Sequence, residues 1–457
     1  MQLPKDFIER TKLILGDEWD DFASSLQMVP PISIRINESK VENDLLLEDV
    51  KWCDMGYYLP QRPSFTFDPL LHAGAYYVQE ASSMFVEYAL KQLVSGEVRC
   101  LDLCAAPGGK STIVSNHISR GSLLVSNEIV RSRANVLAEN LMKWGNGNSI
   151  VTNNKPDDFS GLTHFFDLIL VDAPCSGEGM FRKDPQAIDE WSVANVRLCA
   201  ERQKDILRAV WSALKPDGYL FYSTCTYNND ENEDIVGWMC DTFAAEVVEL
   251  PIKEEWGITL SEVKGRSTYH FFPHQARGEG FFFAVLQKRG AVNDSFTGKK
   301  DKGDKKRKRN FSFEYKDYLK QPDDYSFSEE NGMVYAFPVC LTDTLFFLNK
   351  SLNIIHKGIG IGEIKGRDLI PHQSLALSND LNPEAFVAYD TDWRTAISYL
   401  KREALILGDA PKGILLLTYK NRALGFVKNL GNRANNLYPN EWRIRSSALP
   451  ENEVTVL

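Results

Sequence analysis

The chain has 457 residues, of which 25% are charged and 43% hydrophobic, a composition typical of globular proteins. Its formal net charge of −10 gives no overall attraction to nucleic acid, so any RNA contact has to come from local basic patches. Eight cysteines without a Cys-x-x-Cys pair argue against a disulfide framework and a zinc ribbon. We therefore expect free thiols, no metal and a reducing compartment. With no apolar signal segment and no run of about 18 apolar residues, the sequence predicts a cytoplasmic protein that makes no membrane contact.

In chain order, residues 1–96 are predicted to form a mixed, loop-rich N-terminal extension. Its elements are a helix over 3–15, a strand over 32–36 and a helix over 84–93. From 97 to 290 strands alternate with helices, and the near-continuous apolar run 166–171 is typical of a buried parallel strand. The other predicted strands are 98–103, 123–126 and 219–222. This alternation predicts an α/β core with a mostly parallel, doubly wound sheet.

The segment 291–310 is predicted to be a basic linker, since it contains a lysine-rich run between 299 and 309 and almost no apolar residues. It is read either as a solvated spacer or as a tether for RNA phosphate. Residues 311–457 are predicted to form a separate region, divided into a first C-terminal domain over 311–385 and a second over 386–457. The elements predicted in it are strands over 333–337, 413–418 and 423–427 and a helix over 393–403.

The loop after the first core strand consists of small residues and leads into a helix. Its residues are Cys104, Ala105, Ala106, Pro107, Gly108, Gly109 and Lys110. Small residues let the backbone approach a ligand closely, and a helix N-terminus offers free N–H groups. The run has neither P-loop nor GxGxxG spacing, which favours a small anionic or zwitterionic cofactor over a triphosphate.

Glu128 stands where the second core strand ends. A carboxylate at this position can accept hydrogen bonds from both hydroxyls of a ribose. A lone glutamate at a strand end is also commonly only solvated, but in this register we favour the ribose role.

Two cysteines follow two further core strands, in the contexts Asp172-Ala173-Pro174-Cys175 and Ser223-Thr224-Cys225-Thr226. Polar residues at the carboxyl ends of such strands face the ligand crevice. Arg182 and Lys183 add two cations near the same place, and either is a candidate for contact with phosphate.

These residues lie in segments that resemble signature motifs of the RNA 5-methylcytosine methyltransferases. The segments are LCAAPGGKST at 103–112, DAPCSGEGMFRKDP at 172–185, STCTYNNDENE at 223–233, YHFFPH at 269–274 with GEGFF at 278–282, and, nearer the N-terminus, SIRIN at 33–37 and QEASS at 79–83. The resemblance covers about residues 1–290. Residues 311–457 resemble, more loosely, the C-terminal region of the bacterial 16S rRNA methyltransferase F group, whose last part is PUA-like.

The resemblance implies a Rossmann-like class I methyltransferase core and S-adenosylmethionine as the cofactor, held by residues 104–110, Glu128 and Asp172. It also implies that Asp172 donates to ring nitrogen 3 of cytosine, which requires a protonated carboxyl that burial or cofactor contact could favour. The family often has an acidic residue after the third core strand, near the adenine amine. Here 151–155 offers Asn or Lys instead.

Carbon 5 of cytosine is a poor nucleophile, and attack of a thiolate at carbon 6 makes it reactive. DNA cytosine methyltransferases use a Pro-Cys, whereas the RNA family uses the Thr-Cys cysteine. The resemblance thus nominates Cys225 as nucleophile and Cys175 as the residue that assists release.

The predicted function is cytosine-C5 methylation of RNA, with 16S rRNA or a small-subunit particle as the favoured partner and no obligate protein partner. Among the C-terminal residues, cations at 422, 428, 433, 443 and 445 interleave with Tyr438 and Trp442, which suits RNA contact. The alternatives are a tRNA cytosine-5 methyltransferase, a non-catalytic RNA-binding ribosome assembly factor on the same fold, and a DNA or protein methyltransferase.

Overall fold

The computed structural model describes residues 2–42, 45–290, 313–366, 368–446 and 448–457. The basic segment 291–310 lies outside the described residues. The helices are α1 (Lys5–Leu15), α2 (Trp19–Ser25), α3 (Pro69–His72), α4 (Phe85–Leu93), α5 (Gly109–His117), α6 (Arg131–Trp144), α7 (Pro185–Glu190), α8 (Val193–Val210), α9 (Glu233–Phe243), α10 (Thr342–Leu348), α11 (Gln373–Leu377) and α12 (Trp393–Leu400).

Four sheets are built from the strands of the described residues. The strands are β1 (Ile32–Ile36), β2 (Glu48–Asp49), β3 (Gly56–Leu59), β4 (Tyr76–Val78), β5 (Arg99–Asp102), β6 (Leu123–Asn127), β7 (Ser149–Thr152), β8 (Phe166–Asp172), β9 (Leu214–Thr224), β10 (Ala245–Val247), β11 (Thr259–Val263), β12 (Arg266–Phe271), β13 (Phe281–Lys288), β14 (Tyr325–Glu330), β15 (Met333–Pro338), β16 (Ile354–Lys357), β17 (Ile359–Lys365), β18 (Asp368–Pro371), β19 (Val387–Thr391), β20 (Gly413–Tyr419), β21 (Arg422–Asn429) and β22 (Ala434–Asn436).

The central sheet has the order β11-β12-β13-β9-β8-β5-β6-β7-β16, with β10 paired to β13. Strands β5 to β9 pair in parallel, whereas the flanking strands are antiparallel. Helices α4, α5 and α6 pack on one face, and α8 and α9 on the other. The predicted Rossmann-like α/β core is confirmed. Because apolar side chains of β8 enter both faces, its sequence is a continuous apolar run rather than an alternating one.

The parallel strands β5, β6, β7, β8 and β9 all have their carboxyl ends along the same edge of this sheet. β5 lies between β6 and β8, so the strand order reverses there, and ligands of such sheets bind beyond the carboxyl ends of the strands at this point. The loops after β5, β8 and β9 therefore meet at the same edge. We call the space between these three loops the crevice.

The N-terminal region contributes a sheet, β2-β3-β1-β4, and two helices that pack against the rim of the crevice. Phe7 of α1 and Phe22 of α2 lie 5.0 Å, centroid to centroid, from Phe181 and Tyr227, respectively. Both partners belong to the loops that carry the cysteines. The N-terminal helices thus stabilise the two loops from outside.

The prediction of a separate C-terminal region is wrong in one respect. β14-β15-β17-β18 and β19-β20-β21-β22 form sheets of their own, but β16 pairs antiparallel with β7 and extends the core sheet. β7 would otherwise be an edge strand with unpaired backbone groups. Strand propensity alone does not show which edge a strand will join. The indole of Trp393 also donates to the carbonyl of Phe67, at 2.9 Å, and joins the second C-terminal sheet to the N-terminal region.

The aromatic residues proposed for RNA contact in this region are not free. Tyr438 is only 1% exposed and packs in the core shared with the N-terminal region, and Trp442 is half-buried beneath the ammonium of Lys143. The side chains of Arg433, Arg443 and Arg445 are exposed. The two aromatic side chains are thus at least half-buried, whereas these three arginines are exposed to solvent. None of the described helices combines the length and apolarity needed to cross a membrane.

Candidate active site

The two cysteines predicted to work together are in contact. Cys175 Sγ and Cys225 Sγ lie 3.2 Å apart, and the Cys225 N–H points at Cys175 Sγ from 3.4 Å. Both thiols are partly exposed to the crevice. The hydrogen bond to the Cys225 sulfur and burial together raise the pKa of the Cys175 thiol. The structure therefore brings together two residues whose sequence contexts are alike.

Asp172 is ion-paired in the crevice rather than buried as a neutral acid. Its Oδ2 lies 2.8 Å from Lys110 Nζ and its Oδ1 accepts from Ser223 Oγ at 2.8 Å, while 37% of its side chain is exposed. Burial lowers the pKa of Lys110, but the Asp172 carboxylate outweighs it and the net shift is upward. Of the two conditions expected for its role, burial and cofactor contact, burial is absent, because the Asp172 side chain is 37% exposed and lies beside Lys110.

A buried hydrogen bond and a tightly packed glycine fix the conformation of the loop after β5. Asp102 at the end of β5 accepts from Ser111 Oγ at 2.6 Å, and its other oxygen has no hydrogen-bond partner among the described residues. Burial raises the pKa of Asp102 to about 7. Gly108 has φ 118°, where a Cβ would also lie 3.2 Å from Leu137 Cδ1. The backbone conformation thus requires glycine here, and a Cβ would in addition crowd the Leu137 side chain of α6.

A buried arginine of the N-terminal sheet supports this loop, and sequence reasoning did not assign it this role. Arg35 on β1 donates to Thr112 Oγ1 at 2.5 Å and to Gln79 Oε1 at 3.0 Å, and its guanidinium lies over the Trp144 ring. Burial lowers the pKa of Arg35. The two N-terminal motifs that contain Arg35 and Gln79 therefore meet beneath the helix that follows the loop. Their presence in the sequence was the available signal.

A cavity of about 810 Å³ opens beside the loop after β5. Glu128 lies in its wall, and one carboxylate oxygen accepts the Val130 N–H at 2.9 Å, while the other lies 3.5 Å from an Arg133 nitrogen. Asp157 lines the same cavity, in a short 3₁₀ turn after β7, and its side chain is exposed. The sequence prediction considered residues 151–155 and did not include Asp157, because this residue lies just beyond them, in the turn.

The cavity suits an S-adenosylmethionine-sized ligand by the chemistry of its walls. It combines carboxylates at two strand ends, Glu128 and Asp172, with Cys104 and Ala106 of the loop after β5. Gly109 and Lys110, where α5 begins, line the neighbouring cavity instead. Asn153 and Asn154 are occupied instead in binding the carbonyl of Glu128 and the side chain of Asp158. Neither of these two asparagines lines the cavity, whereas Lys155, the other residue that the sequence offered here, does.

A second cavity of about 420 Å³ adjoins the first and is lined by Lys110, Lys183 and Glu279. Asp172 and Cys225 line both cavities. The reacting groups predicted from sequence therefore lie where two binding spaces meet. This arrangement allows a group held in one cavity to be transferred to a molecule held in the other.

One predicted phosphate contact is not supported. Arg182 has only 5% of its side chain exposed, and it donates to Glu279 Oε2 at 3.0 Å and to the Gly278 carbonyl at 2.7 Å. Its charge is used inside the protein, because Glu279 is a buried carboxylate that needs a partner. Lys183 also lies within 3.3 Å of Glu279, at Oε1, but 32% of its side chain is exposed and it lines the second cavity.

Three family models match the chain. They are described as 16S rRNA methyltransferase RsmB/F over residues 89–287, the N-terminal domain of 16S rRNA methyltransferase RsmF over 3–81 and the methyltransferase RsmF PUA domain over 386–444. The ribosomal RNA small subunit methyltransferase F of Shewanella sediminis is 31% identical, over 96% of this chain and 97% of its own length. The protein of the same name from Vibrio atlanticus is 30% identical, with the same coverage.

Among solved structures, a methyltransferase homolog protein from Pyrococcus horikoshii is 26% identical with a TM-score of 0.54, over 62% of this chain and 95% of its own. NSun6 from Pyrococcus horikoshii, solved with SFG, has the same fold with a TM-score of 0.54 and 19% identity, over 63% of this chain and 99% of its own. The chain therefore belongs to the 16S rRNA methyltransferase F family of S-adenosylmethionine-dependent methyltransferases.

Proposed function

We propose that this protein transfers a methyl group from S-adenosylmethionine to carbon 5 of a cytosine in 16S rRNA, through a covalent bond between Cys225 and the base. The observation that carries the proposal is the contact between the Cys175 and Cys225 sulfurs, beside the Lys110–Asp172 ion pair, where the two cavities meet. A binding module has no need of this arrangement. The names of the family relatives supply the choice of 16S rRNA.

The cofactor supplies an electrophilic methyl group when it is bound. In the proposal residues 104–110, Glu128 and Asp172 hold it, with Glu128 accepting from the ribose hydroxyls. Asp157 takes the place next to the adenine amine that the sequence left unassigned. The support is the larger cavity, whose walls carry Cys104, Glu128 and Asp157.

The smaller cavity is the proposed site of the target cytosine, which has to leave its stack to enter it. There Cys225 Sγ forms a bond to carbon 6, and ring nitrogen 3 receives a proton from the Asp172 carboxyl. Carbon 5 of the resulting enamine then gains the methyl group. Because Asp172 is paired with Lys110 before the base arrives, this step requires a proton to reach Asp172 on base binding.

Release completes the proposed cycle. Water in the crevice takes the proton from carbon 5, and ring nitrogen 3 returns its proton to Asp172. The bond between Cys225 Sγ and carbon 6 breaks, and the thiolate departs as the ring regains its double bond between carbons 5 and 6. Cys175, as the neutral thiol that contacts Cys225, assists this step. Lys110 interacts favourably with negative charge on the departing Cys225 sulfur.

In the proposal the N-terminal extension and the PUA domain bind the RNA on either side of the crevice, and their cations supply phosphate contacts. The proposal keeps the domain limits expected from sequence, 1–96, 97–290, 291–310, 311–385 and 386–457, with β16 of the fourth segment joined to the core sheet. The support is the exposure of Arg433, Arg443 and Arg445 and the packing of α1 and α2 on the cysteine loops. Direct RNA contact by these regions would also explain how an acidic chain selects RNA.

The test is methylation by the purified protein with S-adenosylmethionine labelled in the methyl group. The substrates are unmodified 16S rRNA, reconstituted small-subunit particles and bulk unmodified tRNA, and the products are digested to nucleosides. Label in 5-methylcytidine from 16S rRNA or the particle is the expected result. Label only in tRNA would move the substrate assignment, label in another nucleoside would contradict cytosine-C5 chemistry, and no label in any RNA would favour an assembly factor.

A further inference from the structure

Two buried carboxylates lie behind the cysteine pair and are not used in the proposed reaction. Glu178 follows Cys175 in the loop after β8, and Glu231 follows Cys225 in the loop after β9. Their relative exposures are 1% and 0%. Buried carboxylates are costly unless their oxygens are fully hydrogen-bonded, so their partners indicate what they hold in place.

Each carboxylate accepts hydrogen bonds from the loop of the opposite cysteine. Glu178 Oε2 accepts the backbone N–H groups of Tyr227 and Asn228, at 2.7 and 3.1 Å. In return, Glu231 Oε2 accepts the backbone N–H of Ser176 at 2.9 Å, and the Ser176 hydroxyl donates to Oε1. Ser176 directly follows Cys175 in the chain. The two loops are therefore joined reciprocally.

The remaining partners close the network. Asn228 Nδ2 donates to Oε1 of Glu178 at 2.9 Å and to Oε1 of Glu231 at 3.0 Å. Trp191 Nε1 donates to Glu178 and Gln203 Nε2 donates to Glu231, each at 2.9 Å. Within the described ranges every hydrogen-bond donor to these two carboxylates is a neutral group: a backbone N–H or the side chain of a serine, asparagine, glutamine or tryptophan. No lysine or arginine of these ranges donates to them. Directional bonds of this kind fix geometry, whereas a mobile surface cation would not.

We propose that Glu178 and Glu231 are positioning residues that together hold Cys175 and Cys225 at contact distance. Each restrains the loop of the opposite cysteine, so Glu178 sets the place of Cys225 and Glu231 that of Cys175. The kinetic part of this inference rests on the proposed roles of the two thiols. The geometric part does not, because it concerns only the distance between two sulfurs.

The variants E178Q and E231Q keep side-chain size but replace one acceptor oxygen by an NH2 group that faces other donors. In E178Q we expect covalent attachment to RNA carrying 5-fluorocytidine at the target to slow at least tenfold, because the Cys225 loop is released. That analogue traps the adduct, because release requires removal of the hydrogen on carbon 5 as a proton, and the fluorine that replaces it cannot be removed as a cation. In E231Q we expect attachment to slow less than threefold, while the adduct with ordinary RNA accumulates because release is impaired.

Asp68→Asn is the matched control. Asp68 is also a buried carboxylate, and its partners are the N–H groups of Leu70 and Val456 and the hydroxyl of Tyr76, far from the crevice. Loss of a buried carboxylate should lower the thermal midpoint in all three variants. Only E178Q and E231Q should separate attachment from release. If both steps fall together, in proportion to the folded fraction as in D68N, the positioning role is wrong.

A second measurement needs no catalysis. In a glutathione redox buffer, the two thiols exchange with oxidised glutathione to give the Cys175–Cys225 disulfide and two reduced glutathione molecules. The effective concentration of the thiol pair should fall at least fivefold in E178Q and E231Q and stay within twofold in D68N. Equal values in all proteins would overturn the proposal. S176A, which removes only the hydroxyl donor to Glu231, should show a smaller fall and replaces E231Q where that variant does not fold.

The two measurements separate this proposal from the proposed function. Should Cys225→Ala still methylate cytosine, the roles of the thiols fail, but the disulfide equilibrium still decides whether the carboxylates set their distance. Should the disulfide equilibrium be unaffected while C225A is inactive, the positioning role alone fails.

Discussion

The crevice and the junction around Lys40 both contain paired charged groups, but hydrogen bonds fully occupy the ammonium at the junction, whereas the ion pair in the crevice is partly open to solvent. At the junction, Lys40 Nζ donates to the carbonyls of Ala73, Lys143 and Leu377 at 2.8, 2.6 and 2.8 Å. These carbonyls belong to the N-terminal region, the core and the C-terminal region. An ammonium has three donors, so this group has none left. In the crevice, Lys110 and Asp172 pair but still face two cavities.

The comparison indicates that polar groups whose hydrogen bonds are all formed inside the protein hold its regions together. Polar groups that still face a cavity are available to bind or react with a ligand. One buried group from each region also changes the stability of the fold with pH, and the signs are opposite because one group is an acid and the other a base. Burial raises the pKa of Asp102 in the crevice to about 7 and lowers that of Lys40 at the junction to about 7. Folding therefore takes up protons at Asp102 between about pH 4 and 7, but releases them at Lys40 above pH 7.

The largest effect is expected from the cysteines. Cys225→Ala should lower methylation at least about 10⁴-fold, because the nucleophile is lost. Cys175→Ala should instead leave an RNA adduct that survives denaturing electrophoresis. Cys340→Ala, which changes an exposed cysteine outside the crevice, is the control and should retain activity. Full activity in C225A, or an adduct formed by it, would contradict the assignment.

Glu128→Ala should weaken S-adenosylmethionine binding about 10- to 100-fold, since a hydrogen bond to a charged group contributes about 1.5–3 kcal/mol. Binding of RNA should change less than twofold. Calorimetry measures the first and filter binding the second. Glu97→Ala removes an exposed carboxylate at the opposite end of β5 and should change neither. Unaltered cofactor affinity in E128A would remove Glu128 from the proposed site.

At the junction, Lys40→Met should lower the thermal midpoint by about 5 °C, because three carbonyls lose their donor and each unsatisfied buried group costs about 1–3 kcal/mol. Cofactor affinity should be retained. Lys51→Met, at an exposed lysine of the same region, should leave the midpoint within about 1 °C. A midpoint in K40M equal to that of the parent protein would show that the junction does not depend on this ammonium.

The smallest effect concerns pH and compares a buried histidine on β16, outside both regions, with Asp102 in the crevice. Burial lowers the pKa of His356, on the strand that joins the core sheet, to about 4. The unfolded chain then binds more protons between about pH 6.5 and 4, so stability from this group is present above pH 6.5 and lost on acidification. His356→Leu should flatten the fall of the midpoint in that range by a few degrees.

Asp102→Asn should do the reverse. The pKa of this carboxyl is raised by burial, so the native state binds more protons between about pH 4 and 7, and its contribution to stability grows as pH falls. Without it, the loss of midpoint on acidification should become steeper. Thermal unfolding of the parent protein, H356L and D102N at pH 4.5 to 7 decides this. Parallel curves would mean that burial does not shift the pKa of these two groups in the directions described.

The sequence by itself determined the core fold and which cysteines and carboxylates lie together in the crevice. Alternating apolar runs and helical spacing gave the α/β order, and residues such as Cys175, Cys225 and Asp172 stood directly at strand ends. Because the carboxyl ends of parallel strands converge on one edge, short motifs far apart in the chain were sufficient to predict one site.

Only the tertiary structure decided which groups remain free. Arg182 and Tyr438 read as RNA contacts, yet packing uses one for Glu279 and the other for a core. The pairing of β16 with β7 and the bonds of Glu178 and Glu231 join segments whose local patterns do not name their partners. Local periodicity specifies an element and its buried face, whereas its partner depends on which unpaired groups lie nearby once the chain has folded.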